Sequence, residues 1–497
     1  MAHVSELSSG LLTDLYQLTM AQAYYASGVT GDEACFHLFF RENPCGGGFC
    51  VACGLEQAID YLEGLRFTTP DITYLAALPG TDGRPLFSGE FLQWLADFKF
   101  TGDVGAVPEG VVVFPGEPLL RVRGPIVECQ IVETALLNSI NFQTLVATKA
   151  ARVCLSAQGD RVVEFGLRRA QGPDGGLSAS RAAYIGGCSA TSNTLAGQRF
   201  GIPVSGTHAH SWVMAFDSEL DAFRAYAEAM PNNVVFVVDT YDTLQGARNA
   251  VTVGLELRAR GHELVGVRID SGDLAWLSKR VRAILDDGGF SAAKIVASNE
   301  LDEHLIASLK GQGAVIDVWG VGTKLVTSWD QPALGGVYKL SAIKHSSGAW
   351  EPRIKLSEQT AKVTTPGVLG VRRYRDDSGK LSGDMVYDQS CPPGSAAIIV
   401  DPSDSTRRKA FGANDSFTEL LEPVLRKGER VCAAPAIDEV RARSLASVGE
   451  LDHSITRFLN PHTYPVGLEQ GLHDLRTELV LEARGLSNRS SVSEEES

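Results

Sequence analysis

Between Arg161 and Phe216 the chain twice runs a short apolar segment into residues that can do chemistry. Val162, Val163 and Phe165 lead into Arg168-Arg169 and a Gly/Pro-rich loop, QGPDGG; Ile202 to Val204 lead into Gly206-Thr207-His208-Ala209-His210. Two strand ends thus deliver a guanidinium pair, a hydroxyl and an imidazole, which suits a site for an anion with a histidine at hand. The pattern recurs downstream, with Asp239-Thr240-Tyr241-Asp242, Arg268-Ile269-Asp270-Ser271-Gly272-Asp273, Ser298-Asn299-Glu300 and Gly320-Val321-Gly322-Thr323-Lys324 each following an apolar run. Taken singly, Asp and Ser at such junctions cap helices routinely. Their repetition at the same end of successive strands is the signal, because ligands in α/β folds bind beyond the carboxyl ends of the strands.

Charge narrows the chemistry. Arg168, Arg169, Arg268, Lys324 and His210 gather cations in a chain whose net charge is −15. A buried cluster of that kind needs anionic ligands to offset it. Gly320-Val-Gly-Thr reads as a nest-type phosphate cradle, and the Walker pattern is absent. Asp239, Asp270 and Asp273 then read as partners for Mg²⁺ or ribose hydroxyls, or as stabilisers of a developing positive charge. A phosphorylated sugar fits this set.

The elements that must position these residues follow from the hydrophobic pattern. Short Val-rich runs at 234–238, 264–269, 294–297 and 315–319 alternate with helical patterns near 217–229, 243–260, 272–287 and 302–311. With the runs near 162 and 203 this predicts an α/β fold, an irregular (β/α) barrel over 126–330. An open doubly wound sheet also fits the periodicity. A long, mostly uncharged helix is expected from Pro125 to about Ala157, preceded by a helix over 11–27 with Thr13 as its N-cap and by helices over 55–65 and 88–99. Val111 to Val122 reads as a strand pair broken by PGEP. Alternating runs after 330 read as antiparallel strands, and helices at 436–447 and 466–484 follow them. The polar stretch 487–497 reads as a disordered tail.

Length and composition set bounds. At 497 residues, 44% hydrophobic and 21% charged, the chain suits two or three globular domains. Without a sustained Lys/Arg stripe, nucleic acid is not an expected partner. Without a basic-then-apolar leader or an apolar run near 20 residues, neither is a membrane, and a cytoplasmic protein is expected. The nine cysteines are irregularly spaced, and the Cys45, Cys50 and Cys53 cluster reads as small buried thiols at a helix start.

The ordered motifs LLTDLYQLTMAQAYY, EFGLRRAQGPDGG, GGCSATSNTLAG, VSGTHAHSW, VDTYDT, GVRIDSGDL and GVGTKLVT, with GGVYKL after them, give the chain its resemblance. It resembles the nicotinate phosphoribosyltransferases, of the type II phosphoribosyltransferase fold, which implies a barrel flanked by an α/β sandwich domain built from both chain ends, 1–125 and 331–486. The resemblance implies condensation of nicotinate with phosphoribosyl diphosphate, coupled to ATP hydrolysis, with Mg²⁺, in a homodimer whose site lies at the interface. It implies that His210, and not His208, is phosphorylated by ATP, and that Phe165 stands against the pyridine ring with Arg168 near the anionic groups. By the same likeness Tyr16 is a second aromatic wall contributed across the dimer. Thr207 and Arg268 hold nicotinate, Asp239 and Asp270 face the ribosyl moiety, and Gly322 with Thr323 hold the phosphate end. Competing expectations are a nicotinamide phosphoribosyltransferase, which shares the fold, and a non-catalytic nucleotide-binding regulator.

Overall fold

The structure, a computed structural model, describes residues 8–345, 348–359, 362–394 and 397–486. The 487–497 segment read as a tail lies outside the described residues.

The strands Arg161–Glu164, Ala190–Thr191, Val235–Val237, Gly266–Ile269, Lys294–Asn299 and Val318–Val321 form one parallel sheet. Their order is cyclic: the last pairs with the first, Val318 opposite Arg161, and consecutive strands are neighbours except Ala190–Thr191 and Val235–Val237, which form the two edges. Such an order belongs to a barrel and excludes a doubly wound sheet, whose strand order reverses at a switch point. A single parallel bridge, Thr191 to Val204, adds the 203 run to one edge. The seam lies between that bridge and Val235–Val237. There the imidazole of His208 spans the gap, its Nε2 accepting from the Val237 N–H at 3.2 Å. Closure of the barrel thus rests on a side chain where a strand is missing.

Helices Thr243–Ala259, Leu274–Asp287 and Glu303–Gly311 cross over between strands. Asp242, Asp273 and Asp302 cap them, each accepting from a backbone N–H in the first turn. The helix predicted from Pro125 is two, Ile126–Ile131 and Glu133–Ser156, with a break at Val132. The longer one serves two cores. Leu136, Ile140 and Leu145 pack into the flanking core, whereas Val146, Ala150 and Val153 pack into the barrel core.

The flanking region draws on both chain ends. Its seven-stranded sheet joins Glu33–Phe40, Asp103–Ala106 and Leu120–Pro125 to strands from 336–430, and helices Leu55–Gly64 and Gly89–Ala96 contribute to its core. A second, six-stranded sheet lies wholly within 369–469.

Several local expectations are corrected. Val112–Val113 pairs with Cys50–Val51, not with the strand across the PGEP turn. The helix expected over 466–484 begins at Gln470, since Val466–Glu469 is a strand between two others in the second sheet. The N-cap of Leu15–Ala26 is Asp14, while the Thr13 hydroxyl donates to the Ile131 carbonyl at 3.2 Å. Helix Thr69–Ala76, with its Thr68/Asp71 capping box, was not anticipated. Cys50 and Cys53 are buried thiols, as read, in the flanking and barrel cores respectively, whereas Cys45 is only half-buried in the short turn Pro44–Gly46.

Candidate active site

The mouth of the barrel is assembled from buried anchors upward. Glu164 ends its strand fully buried and accepts from the Gly166 N–H, from Ser180 Oγ at 2.9 Å and from Thr191 Oγ1 at 2.6 Å. This fixes the turn that follows. Phe165 is tied by its N–H to the Val321 carbonyl, and a Cβ on Gly320 would sit 2.6 Å from its ring. Gly320 therefore makes room for an aromatic wall, and it lines the same cavity as Gly322 and Thr323. The short turn Leu167–Arg169 then presents two guanidinium groups. Arg169 has no ion pair with Asp174 or Glu164 among the described residues.

From the far edge, Gly206 to Ala209 pass over the seam. Arg268 Nη1 donates to Thr207 Oγ1 at 2.7 Å, but its Nε is buried with no partner. Burial holds this guanidinium below its ordinary pKa; Asp270 and Asp239 oppose the shift and Arg168 adds to it. An unpaired buried donor costs about 1–3 kcal/mol, and more when charged. A planar cation left in that condition marks a place for an anion.

His210 opens the helix His210–Met214. Its Nδ1 lies 3.1 Å from Thr240 Oγ1, and its Nε2 lies 3.7 Å from Asp270 and 3.9 Å from Asp239. A hydroxyl and two carboxylates surround it, and no backbone carbonyl satisfies it. Asp239 is buried, and one oxygen accepts from the Asp270 N–H and Ser271 Oγ while the other has no hydrogen-bond partner. Asp270 in turn accepts from Ser298 Oγ. By contrast His208 is structural: its Nδ1 lies 3.2 Å from the Ala209 carbonyl, its Nε2 accepts from Val237, and burial lowers its pKa to about 4.

These groups enclose a cavity of about 390 Å³ lined by Phe165, Arg168, Thr207, Arg268, Asp270 and Thr323, with Arg169, Gly322 and Ser298 among its other walls. Asp239 and His210 adjoin Asp270 at its edge. Two expected participants stand elsewhere: Asp273 uses Oδ1 to cap Leu274–Asp287, and Lys324 is turned to Asp302 at 2.5 Å. Tyr16, expected from a partner subunit, is half-exposed on Leu15–Ala26.

Comparison with known proteins decides the family. The chain matches the nicotinate phosphoribosyltransferase N-terminal domain over residues 11–141, the family model over 161–365 and the C-terminal domain over 370–476. The nicotinate phosphoribosyltransferase of Bacillus subtilis (strain 168) is 44% identical over 482 residues, 96% of each chain. The chain belongs to the nicotinate phosphoribosyltransferase family. The Caenorhabditis elegans nicotinate phosphoribosyltransferase is 37% identical over 95% of this chain and 93% of its own. The crystal structure of human nicotinic acid phosphoribosyltransferase aligns with a TM-score of 0.83 at 33% identity, over 94% of this chain and all (100%) of that one. A nicotinate-nucleotide pyrophosphorylase from Pyrococcus furiosus shares the fold, at TM-score 0.69 and 22% identity.

Among family members, then, this chain brings Phe165, Arg168, Thr207, Arg268, Asp239, Asp270, Gly322, Thr323 and His210 to one mouth. Sequence reasoning missed the roles of Glu164, Thr240 and Ser298. A carboxylate ending an apolar run just before a glycine was the available sign for Glu164.

Proposed function

We propose that this chain condenses nicotinate with 5-phosphoribosyl 1-diphosphate to nicotinate mononucleotide and diphosphate, a step of NAD biosynthesis. What carries the reading is the buried, half-satisfied guanidinium of Arg268 in the same cavity as the Phe165 ring. A flat acid meets both: its ring lies on Phe165, and its carboxylate takes the donors of Arg268 and Thr207. Its pyridine nitrogen then bonds to the anomeric carbon as the bond to diphosphate breaks. Asp239 and Asp270 face the positive charge that builds on the ribosyl ring, while Arg168, Gly322 and Thr323 receive phosphate oxygens.

Mg²⁺ fits the residues present, since the unpartnered Asp239 oxygen stands beside Asp270 and a magnesium ion brought by diphosphate needs few protein oxygens. When bound it neutralises the leaving group. ATP enters through His210. In the tautomer whose Nδ1–H donates to Thr240, Nε2 is the nucleophile: its bond to the γ-phosphorus forms as the bond to ADP breaks. The phosphohistidine sets negative charge beside two carboxylates and reshapes the affinity for substrates and products. Tyr16, with Leu12 and Leu15, forms an exposed apolar edge that suits a partner subunit, making the working unit a homodimer in the cytoplasm.

An amide substrate would offer Arg268 no charge, which favours nicotinate over nicotinamide. Release of diphosphate from nicotinate, phosphoribosyl diphosphate, Mg²⁺ and ATP is the direct test. No release would refute the assignment, and equal turnover of nicotinamide would move it to the amide-specific enzyme.

A further inference from the structure

A second cavity, of about 280 Å³, lies in the flanking region and shares no lining residue with the barrel mouth. It opens where the seven-stranded sheet meets the second sheet and the helix Gln470–Ala483. Phe39, Pro118, Val386 and Val466 give it apolar walls.

Its cations differ from the buried Arg152 and Arg373, which are paired with Glu303 and Asp384. Arg476 is only 8% exposed, yet its three nitrogens reach only the carbonyls of Thr364, Pro402 and Val363, at 3.2–3.4 Å. Burial alone holds it below its ordinary pKa. Arg41 lines the same space with a buried Nε that has no partner, and Lys339 joins it. None of the three has a carboxylate within ion-pair distance among the described residues. The one carboxylate in the lining, Asp401, turns an oxygen to the Ser403 N–H and hydroxyl. A neighbouring cavity of about 650 Å³ shares Pro115, Asp401 and Val466 and adds Arg407, Arg408 and Lys409.

Three cations over apolar walls, in a chain of net charge −15, describe a ligand with a strongly anionic head and an apolar body. Guanidinium groups lacking carboxylates favour a phosphate, which offers several oxygens at fixed spacing. We propose that this cavity is a binding site, separate from the barrel mouth, for an organic phosphate of mononucleotide size. Its phosphate lies among Arg41, Lys339 and Arg476, and its apolar part lies against Phe39, Pro118 and Val466.

Calorimetric titration of the full chain with adenosine monophosphate tests this. Arg168→Ala removes the guanidinium that receives phosphate at the barrel mouth, and one site per chain should remain at the flanking cavity. Arg41→Gln and Lys339→Gln, both at less buried positions than Arg476, should each weaken that site at least about tenfold, the loss of one charge-assisted contact. Hydrogen exchange should slow over 363–369 and 466–476 when the nucleotide is bound. Benzoate should bind at least about tenfold more weakly, because it keeps the apolar body and lacks the phosphate. Absence of binding in Arg168→Ala, or binding indifferent to both Arg41→Gln and Lys339→Gln, would overturn the site. Benzoate binding as tightly as the nucleotide would overturn the phosphate assignment.

Discussion

Two groups of buried charge in this molecule are built on opposite rules. In the flanking region Arg373 is closed on every side: Asp384 takes its Nε and Nη2, the Val112 carbonyl takes Nη1, and Tyr464 adds a hydroxyl to Asp384 at 2.9 Å. Burial pushes the adjacent Glu117 well above the usual carboxylate range, with Asp384 adding to the shift. At the barrel mouth Arg268 keeps a bare Nε, Asp239 a bare oxygen, and Arg168 and Arg169 have no ion pairs among the described residues. The guanidinium of Arg373 is fully partnered in the free protein, although Glu117 Oε1 beside it has no hydrogen-bond partner. The barrel mouth becomes complete only when a ligand supplies the missing partners, so the difference separates structural charge from functional charge.

Breaking the closed cluster should cost the most. Asp384→Ala leaves Arg373 with Glu117 at 3.9 Å as its only carboxylate, and should lower stability by about 3–5 kcal/mol in denaturant titration. Its kcat/KM, measured on the folded fraction, should be unchanged. At the mouth the same kind of removal should reverse the pattern. Nicotinate should outcompete nicotinamide by at least ~10³ in kcat/KM, and Arg268→Ala should erase that preference. Because Arg268 is unsatisfied in the free protein, its thermal midpoint should not fall. A large drop in stability for Arg268→Ala would dissolve the contrast.

His210→Ala sharpens the comparison further. Stimulation by ATP should disappear while basal condensation persists, and unchanged ATP-dependent turnover would exclude the phosphohistidine. Thr240→Val, which removes the partner of Nδ1, should lower the rate of ³²P incorporation from ATP by about 10-fold, a hydrogen bond's worth.

The smallest effect should come from His208, the structural imidazole of the same loop. Its folded pKa of about 4 lies below the ordinary 6.5, so the neutral ring stabilises the fold fully above the higher value. Stability should fall as pH drops through that window, because the unfolded chain binds the proton first. His37, also buried and held well below its ordinary value, contributes in the same direction. His208→Gln, which keeps an acceptor for Val237, should flatten part of the decline in thermal midpoint.

Legibility in the sequence followed the range of the interactions. The barrel strands and the residues at their tips could be read because period and punctuation are local: Asp239, Arg268 and Thr323 stand immediately after apolar runs. Glu164 could not be read as an anchor, since Ser180 and Thr191, which it binds, are 16 and 27 residues away. Gly320's contact with Phe165 was hidden for a related reason. What its missing Cβ accommodates is a ring from another strand, and glycine looks the same whether it frees a backbone or clears a space. Lys324 and Asp273 were counted toward the site by position alone, and only their side-chain directions removed them from its lining.

By itself the sequence determined the chemistry on offer: parallel strands with crossover helices, and a run of strand ends carrying arginines, acids and a histidine. Those features are encoded within a few residues of one another. Only the tertiary structure decided which charges are closed and which stay open, that the ring closes through His208 instead of a strand, and that the two cysteines of C-x-x-C face separate cores. Each of these depends on pairing residues far apart in the chain, which packing settles and local pattern does not record.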